Sequence, residues 1–460
     1  MTKKNDVYGY LPTERPETGK LLLYALQQVI VMFPATITVA LITKFQVSTT
    51  IFASGLATLC FTFITGGKIP LYYGSSFAYL AAVMSMAAAE CTPEQLAQAN
   101  ATGILPAEII SKAQFGIIMS GFVSIAAGLL VRRFGKETVE KILPATITGP
   151  VAMIIGLSLA GNALGDAVAC EVQGADTVWL IVSLVTLLST ILFSIYLKGF
   201  LGQLPLLLGA ACGCLTAGAF ALGGVNVFRT ISDEALNSLA SFGPFAIPAF
   251  TLPKVSMAAL VGIMPIAIAT IPESTAHMYQ LDIYVQDVAK KKGKKMDYSL
   301  IDMLDKNLIG DGLCDMVAGF VGGPAGTNYG ENISTMAITR VFSVPVIQCA
   351  AIIAMIVSCF TPLIKGIYAI PKPVIGGLEV YLFGAIAAQG IAIMIEKKVD
   401  MFSSKNIAVI ACIMIIGLGG HFQFGGNIPF FGINIPDIAG ASIFGILLNA
   451  LLSIGDKKNQ

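Results

Sequence analysis

Pro324-Ala325-Gly326-Thr327-Asn328-Tyr329-Gly330-Glu331-Asn332 is an irregular, polar stretch set between long apolar runs. A second such stretch, Tyr72-Tyr73-Gly74-Ser75-Ser76, lies far upstream. Both carry Tyr-Gly followed by a polar residue: Tyr73-Gly74-Ser75 and Tyr329-Gly330-Glu331. Around them the chain is apolar. It has 460 residues, 55% hydrophobic, 12% charged, with mean hydropathy +0.80. A soluble domain carries about 25% charged residues, so this composition cannot coat a water-soluble particle, and lipid is its natural solvent. A net charge of +1 gives no reason to expect a nucleic-acid partner.

A helix needs about 20 apolar residues to span the hydrocarbon core. Long apolar runs occur at 21–42, 49–67, 113–131, 143–164, 177–198, 203–223, 256–276, 343–364, 373–395, 404–420 and 437–455, with a shorter one at 309–323. With the two mixed stretches, 71–87 and 324–341, the expected count is fourteen membrane segments. The irregular stretches are the third and tenth, the same place in each half. Seven segments per half is odd, so the halves would insert with opposite topology. Interrupted segments at matching places are the sequence pointer to a transporter site, because irregular backbone at membrane depth must be satisfied by protein or by a water-filled cavity. A second echo pairs Leu143-Pro144 to Gly149-Pro150 with Ile370-Pro371 to Gly376-Gly377. The expected fold is therefore an all-α polytopic membrane protein built as a 7+7 inverted repeat, with short extended stretches in two half-broken segments.

Basic residues concentrate on the cytosolic side. The polar start, with Lys3, Lys4, Arg15 and Lys20, reads as a cytosolic tail rather than a cleaved leader. Both termini inside puts Arg132, Arg133, Lys136, Lys141, Lys198, Lys290–Lys295, Lys397, Lys398, Lys405, Lys457 and Lys458 on that side. Lys365 and Lys372, and less so Lys112, Arg229 and Lys254, fall on the other. The nine Cys show no disulfide framework; Cys91 and Cys170 both fall in outside loops, which leaves a bridge between them open.

Ionisable residues inside membrane segments cost about 2.5–3.5 kcal/mol each at mid-bilayer and mark function by default. Glu273 and His277 fall at the end of the eighth segment, spaced i, i+4 on one helical face. A carboxylate beside an imidazole in an apolar cavity is suited to carry a proton; the plainer reading has the pair capping the segment in cytosolic water. Glu331 opens a helix after Gly330, where free backbone N–H groups point outward and glycine permits close approach. Two acids together with free N–H groups suit a planar ligand bearing both donors and acceptors, and the spacing alone does not name it. Phe77 is placed to stack on such a ring or simply to pack. Glu379 either lines the pathway or contacts a partner subunit. Asp311 and Asp315 read as electrostatic helix-start acids of the ninth segment, and His421 as a solvated loop histidine. No nucleotide-binding loop, metal motif or nucleophile elbow is present, which argues against an enzyme and leaves an ion gradient as the driving force, with no cofactor.

The stretch Glu331-Asn332-Ile333-Ser334-Thr335-Met336-Ala337-Ile338-Thr339-Arg340 resembles the signature of the nucleobase–ascorbate transporter family, whose pattern is Gln/Glu/Pro, Asn, any residue, Gly, four residues, Thr and Arg/Lys/Gly. Thr327-Asn328-Tyr329-Gly330, Gly74-Ser75-Ser76-Phe77-Ala78, the Glu273/His277 pair and Pro373-Val374-Ile375-Gly376-Gly377 extend the match in family order. The resemblance implies a core domain (21–131 and 224–364) and a gate domain (132–223 and 365–455) between cytosolic tails at 1–20 and 456–460, often as a homodimer. It implies a bacterial inner-membrane carrier of uracil or a related nucleobase, symported with a proton. Glu273 and Glu331 would hold the base, with Ser76, Phe77, Tyr329 and Gly330 around it. His277 would share in proton coupling with Glu273, and Asn332, Thr339 and Arg340 would form the motif. Three departures stand out: Ser334 replaces the signature Gly, Gln28 stands where many relatives carry Gln-His, and Phe383 stands where a uracil carrier has Tyr. A purine or urate permease on the same architecture, a sulfate-type anion carrier and a membrane receptor that binds a base without moving it are the rivals. Two acids at the site argue against the anion carrier, and paired broken segments argue against a static receptor.

Overall fold

The computed structural model describes residues 9–135, 137, 142–236, 238–294, 296–430 and 433–456. Lys3, Lys4, Lys136, Lys141, Lys295, Lys457 and Lys458, part of the expected inside-positive pattern, lie outside the described residues.

The chain runs as α1 (Thr18–Thr43), α2 (Val47–Ile64), β1 (Tyr73–Ser75), α3 (Leu80–Glu90), α4 (Pro93–Thr102), α5 (Ala107–Phe134), α6 (Ala145–Ser158), α7 (Ala160–Val168), α8 (Asp176–Tyr196) and α9 (Pro205–Leu222). A hairpin of β2 (Ala240–Phe242) and β3 (Phe245–Ile247) follows. Next come α10 (Met257–Ile263), α11 (Ala267–Lys291), α12 (Leu304–Val321), β4 (Gly326–Asn328), α13 (Gly330–Thr339), α14 (Val344–Ser358) and α15 (Thr361–Tyr368). The chain closes with α16 (Lys372–Glu396), α17 (Ser404–Phe424), a hairpin of β5 (Asn427–Phe430) and β6 (Ile433–Pro436), and α18 (Asp437–Asp456). The two hairpins lie in stretches expected to be irregular loops.

Among the described residues ten helical spans are long and apolar enough to cross a membrane, so the chain is an integral membrane protein. The other four expected segments correspond to α3 with the turn before it, α12, α13 and α14, which are shorter or carry more charge. The helices pack in two sets. In one, α12 lies along α5 and α2, and α14 along α2 and α1; in the other, α16 lies along α6, α7 and α8, α9 along α8, and α17 along α6 and α18. Close approach comes from small residues, as it must where lipid supplies no hydrophobic drive. A β-carbon on Gly121 (α5) or Gly312 (α12) would sit 2.3 Å from the other's carbonyl oxygen.

Three of the basic residues expected on the wrong side are matched by acids. Lys372 pairs with Asp166 and Glu171, Lys112 with Glu90, and Lys254 with Glu108, while the Arg229 Nε donates to the Ile370 carbonyl. Nine free cysteines include Cys91 and Cys170, so no bridge joins those two. At the opposite end, Tyr10 bridges to Val341. Lys292 and Lys294 both reach the Glu14 carboxylate.

A candidate substrate site at the crossing of two short strands

β1 and β4 pair antiparallel, with Tyr73 opposite Asn328, Gly74 opposite Thr327 and Ser75 opposite Gly326. The two irregular stretches thus complete each other's backbone. The Tyr329 amide donates to the Tyr72 carbonyl and the Ser76 amide to that of Ala325, both at 3.0 Å. Hydroxyls of α2 finish the edge. Ser54 and Thr58 donate to the Tyr73 carbonyl, at 2.8 and 3.0 Å, and Thr58 accepts from its amide. Side chains explain why glycine is required here. A β-carbon on Gly74 would lie 2.2 Å from the Tyr329 ring, and one on Gly326 would lie 2.4 Å from the Tyr73 ring. Tyr329 fills the space beside Gly74, stacks on Tyr72, donates to the Ser75 carbonyl at 3.0 Å and meets the Thr36 hydroxyl at 2.9 Å.

Each strand then turns into a short helix. After β1, the Ser76 hydroxyl accepts from the Ala78 amide and caps the turn that carries Phe77. After β4, α13 begins at Gly330 with Glu331 in its first turn. Both helix starts leave N–H groups facing the crossing. α11 passes beside them. A β-carbon on Gly330 would sit 3.0 Å from His277 Nε2, the imidazole lies against the Asn328 backbone, and its Nδ1 has no hydrogen-bond partner. Glu273, one turn earlier, interacts electrostatically with Glu331. Glu331 is deep in the protein yet exposed, and Glu273, His277, Phe77 and Gly330 are half-buried. The group lines an open cleft, not a sealed core. Here α11 runs on to Lys291, so Glu273 and His277 lie within a helix instead of at the end of a segment. The hydropathy run stops at 276 because Glu273, His277, Gln280 and Asp282 follow one another.

Sequence reasoning underrated Asp311 and Asp315. α12 starts at Leu304, so both lie inside it, 7% and 2% exposed, on the face turned to the strands. Asp315 accepts from the Tyr73 hydroxyl and, at 2.9 Å, from the Gly326 amide. Asp311 accepts from the Ser274 hydroxyl and, at 2.8 Å, from Asn328 Nδ2. Asn307 donates to the Ser274 hydroxyl at 2.6 Å. The two acids therefore tie α12 to β1, β4 and the turn of α11 that carries Glu273. Asn307, Asp311 and Asp315 recur every four residues, and that polar stripe was the available signal.

The remaining signature residues hold α13. Asn332 Nδ2 donates to both the Gln28 carbonyl and Oε1, at 3.0 and 2.7 Å. The Thr339 hydroxyl returns to the Thr335 carbonyl, and Arg340 closes the helix in a left-handed conformation. Ser334 is half-buried on α13. Phe383 is 2% exposed in the packing of α16, in the apolar cluster that also holds Tyr79 and Ala325 and has Phe77 packed against it. Glu379 is also 2% exposed within this one chain, which takes it off any subunit-contacting surface; it interacts electrostatically with Asp166 and Lys372. His421 belongs to α17, not to a loop. Its Nδ1 lies 3.3 Å from Asp437, because the helix persists through Gly419-Gly420.

Comparison with known proteins identifies the family. Residues 19–426 match a family model described as the Permease family. The uracil permease of Bacillus caldolyticus is 33% identical over 95% of this chain and 93% of its own length. That of Bacillus subtilis strain 168 is 33% identical over 98% and 96%, and a putative pyrimidine permease of Escherichia coli K12 is 33% identical over 96% and 91%. Among solved structures, a murine solute carrier 26 family anion transporter in the inward-facing state superposes with a TM-score of 0.64 at 14% identity, covering 99% of this chain and 72% of that one. The transmembrane domain of a cyanobacterium bicarbonate transporter does so with 0.54 at 14% identity, over 95% and 97%. These two speak to the fold alone. With a family match across most of its length and relatives at one-third identity, the chain belongs to the nucleobase–ascorbate transporter family of permeases and is a transporter, not an enzyme.

Proposed function

We propose that this carrier imports uracil together with a proton across the cytoplasmic membrane, with both termini inside. The observation that carries the reading is the meeting of Glu331, Glu273 and His277 with two helix starts in one open cleft. Uracil offers two ring N–H donors and two carbonyl acceptors in one plane. Glu331 accepts from the ring N–H groups, and the free amides beside Phe77 and Gly330 donate to its carbonyls. Phe77 covers one ring face. Glu273, beside His277, takes and releases the proton. The printed names of the relatives, uracil permeases and a pyrimidine permease, support this substrate class over purines.

The wider architecture follows from the same reading. Fourteen segments form a 7+7 inverted repeat, with the two packing sets as core and gate in a homodimer. The core carries the crossing strands and moves against the gate, exposing the cleft to either side. The test is uptake of radiolabelled uracil by cells lacking their own uracil permease, with unlabelled xanthine, hypoxanthine and thymine as competitors. Uracil uptake unaffected by xanthine and hypoxanthine is the expected result; label displaced by purines, or uptake seen only with a purine tracer, would move the substrate.

A further inference from the structure

The hairpin of β5 and β6 joins α17 to α18 and reaches across to the helices that carry the strand crossing. It meets α3 at Ser85. That is the end of the molecule where Glu90 pairs with Lys112 at the start of α5; the other end of α5 lies beside Asp305, at Arg132. The hairpin therefore sits at the end that the proposed orientation puts outside. Accessible positions on α13 continue from Glu331 through Ser334 to Ile338, toward the end held by Tyr10, so the cleft opens away from the hairpin.

Its attachment to the two sides differs in kind. On the α17 side it is held by backbone. The Gly426 amide donates to the Gly420 carbonyl at 3.2 Å, and the Asp437 amide donates to the Gly426 carbonyl at 3.0 Å. A β-carbon on Gly420 would lie 2.7 Å from Ile428 and 2.8 Å from the Asp437 β-carbon, so helix and hairpin touch directly. On the other side the contacts are made by side chains. Asn427 Nδ2 donates to the Ser85 hydroxyl at 3.3 Å. Pro436 faces Gly262 of α10, where an added β-carbon would still stand 3.8 Å away, at ordinary van der Waals distance. Side-chain contacts of this kind can part and re-form while the backbone ties stay whole. The two helices under the hairpin also lead to the cleft. α3 follows the turn that carries Phe77, and α10 runs through a short turn into α11, which carries Glu273.

We propose that the β5–β6 hairpin is the outer lid of the carrier: it travels with α17 and α18, rests closed on α3 and α10 in this structure, and lifts from Ser85 and Gly262 to admit the base. The inference rests on the transport reading above and names the surfaces that part when one packing set moves against the other. A lid gates access and leaves the binding groups themselves unchanged. Holding it down should therefore stop uptake without stopping binding from the open side.

A lock and a wedge test it from opposite directions. The lock is Ser85→Cys with Asn427→Cys, joined by a short bis-methanethiosulfonate, with wild type given the same reagent as the control for its native cysteines. Crosslinked protein in proteoliposomes is expected to lose uracil uptake by about tenfold or more and to regain it with dithiothreitol, while uracil binding in detergent persists. The wedge is Gly262→Phe, which pushes on Pro436. In that background Ser85→Cys should react with a membrane-impermeant maleimide, applied to intact cells, about tenfold faster than Ser85→Cys alone. Peptide mass spectrometry reads the rate against native Cys170, a half-buried thiol between α7 and α8. Asn427→Ala, which removes the hydrogen bond to Ser85, serves where Gly262→Phe fails to fold, with the same acceleration expected. The labelling needs no substrate, so it separates the lid from the choice of solute. Uptake by the crosslinked protein equal to that of the reduced protein, or labelling unmoved by the wedge, would overturn the lid. Accelerated labelling together with no uracil uptake by wild type would sink the uracil reading and leave the lid standing.

Discussion

At the residue scale the account turns on two carboxylates with different tasks. In the proposed mechanism Glu331 recognises the base, so Glu331→Gln replaces an anionic acceptor with an amide. A hydrogen bond to a charged group contributes about 1.5–3 kcal/mol, which predicts a ten- to hundredfold loss of uracil affinity, or a turn toward oxo-purines, read by competition binding. In the same proposal Glu273 carries the proton, so Glu273→Gln should leave exchange of uracil down its gradient while abolishing accumulation; counterflow and gradient-driven uptake in the same vesicles separate the two. These residues were legible because ionisable groups stand out in apolar segments. Asp311 and Asp315 were not, because the apolar run begins at 309 and seemed to place them at a boundary. Their partners come from distant stretches of chain. Tyr73 lies 242 residues from Asp315, and no local pattern announces that contact.

At the element scale the crossing of β1 and β4 is the structural centre. The sequence showed two irregular stretches at corresponding places and gave no sign that they pair with each other. The interlocking is steric: each strand's tyrosine ring occupies the space left by a glycine opposite. Gly74→Ala would push a methyl into the Tyr329 ring. Overpacking of this kind costs about 1–3 kcal/mol, and the loss should appear as a lowered unfolding temperature together with lost uracil binding. Asp315→Asn should loosen the same crossing through Tyr73 and Gly326, lowering binding while leaving membrane insertion intact. Hydropathy located most helices but ended α11, α12 and α17 wrongly, since it stops at the first polar residues even where buried partners satisfy them.

At the scale of the whole molecule, the segment before α1 clasps the ends of α11 and α13, the helices that carry Glu273 and Glu331. The Tyr10 amide donates to the Arg340 carbonyl, the Tyr10 carbonyl accepts from the Phe342 amide, and the Ser343 hydroxyl donates to the Glu14 carbonyl. Burial alone would raise the Glu14 carboxyl, but hydrogen bonds from Lys292, Lys294 and the Leu11 amide overcome it and hold the group down at about 2, from 4.5. A folded pKa below the unfolded one gives stability that is complete above about 4.5 and lost as pH falls toward about 2. The unfolding temperatures of wild type and Glu14→Gln should therefore differ most at neutral pH and converge in that acid window. Inside-positive charge is the basis of the expected orientation, and three of its exceptions, Lys372, Lys112 and Lys254, lie beside acids that no local sequence pattern announced. The central claim, proton-coupled uracil transport by this chain alone, is tested most directly in proteoliposomes that contain no other protein. With an inward proton gradient, radiolabelled uracil should accumulate above its equilibrium level and drain when a protonophore is added. Accumulation indifferent to the protonophore, or dependent instead on a sodium gradient, would contradict it.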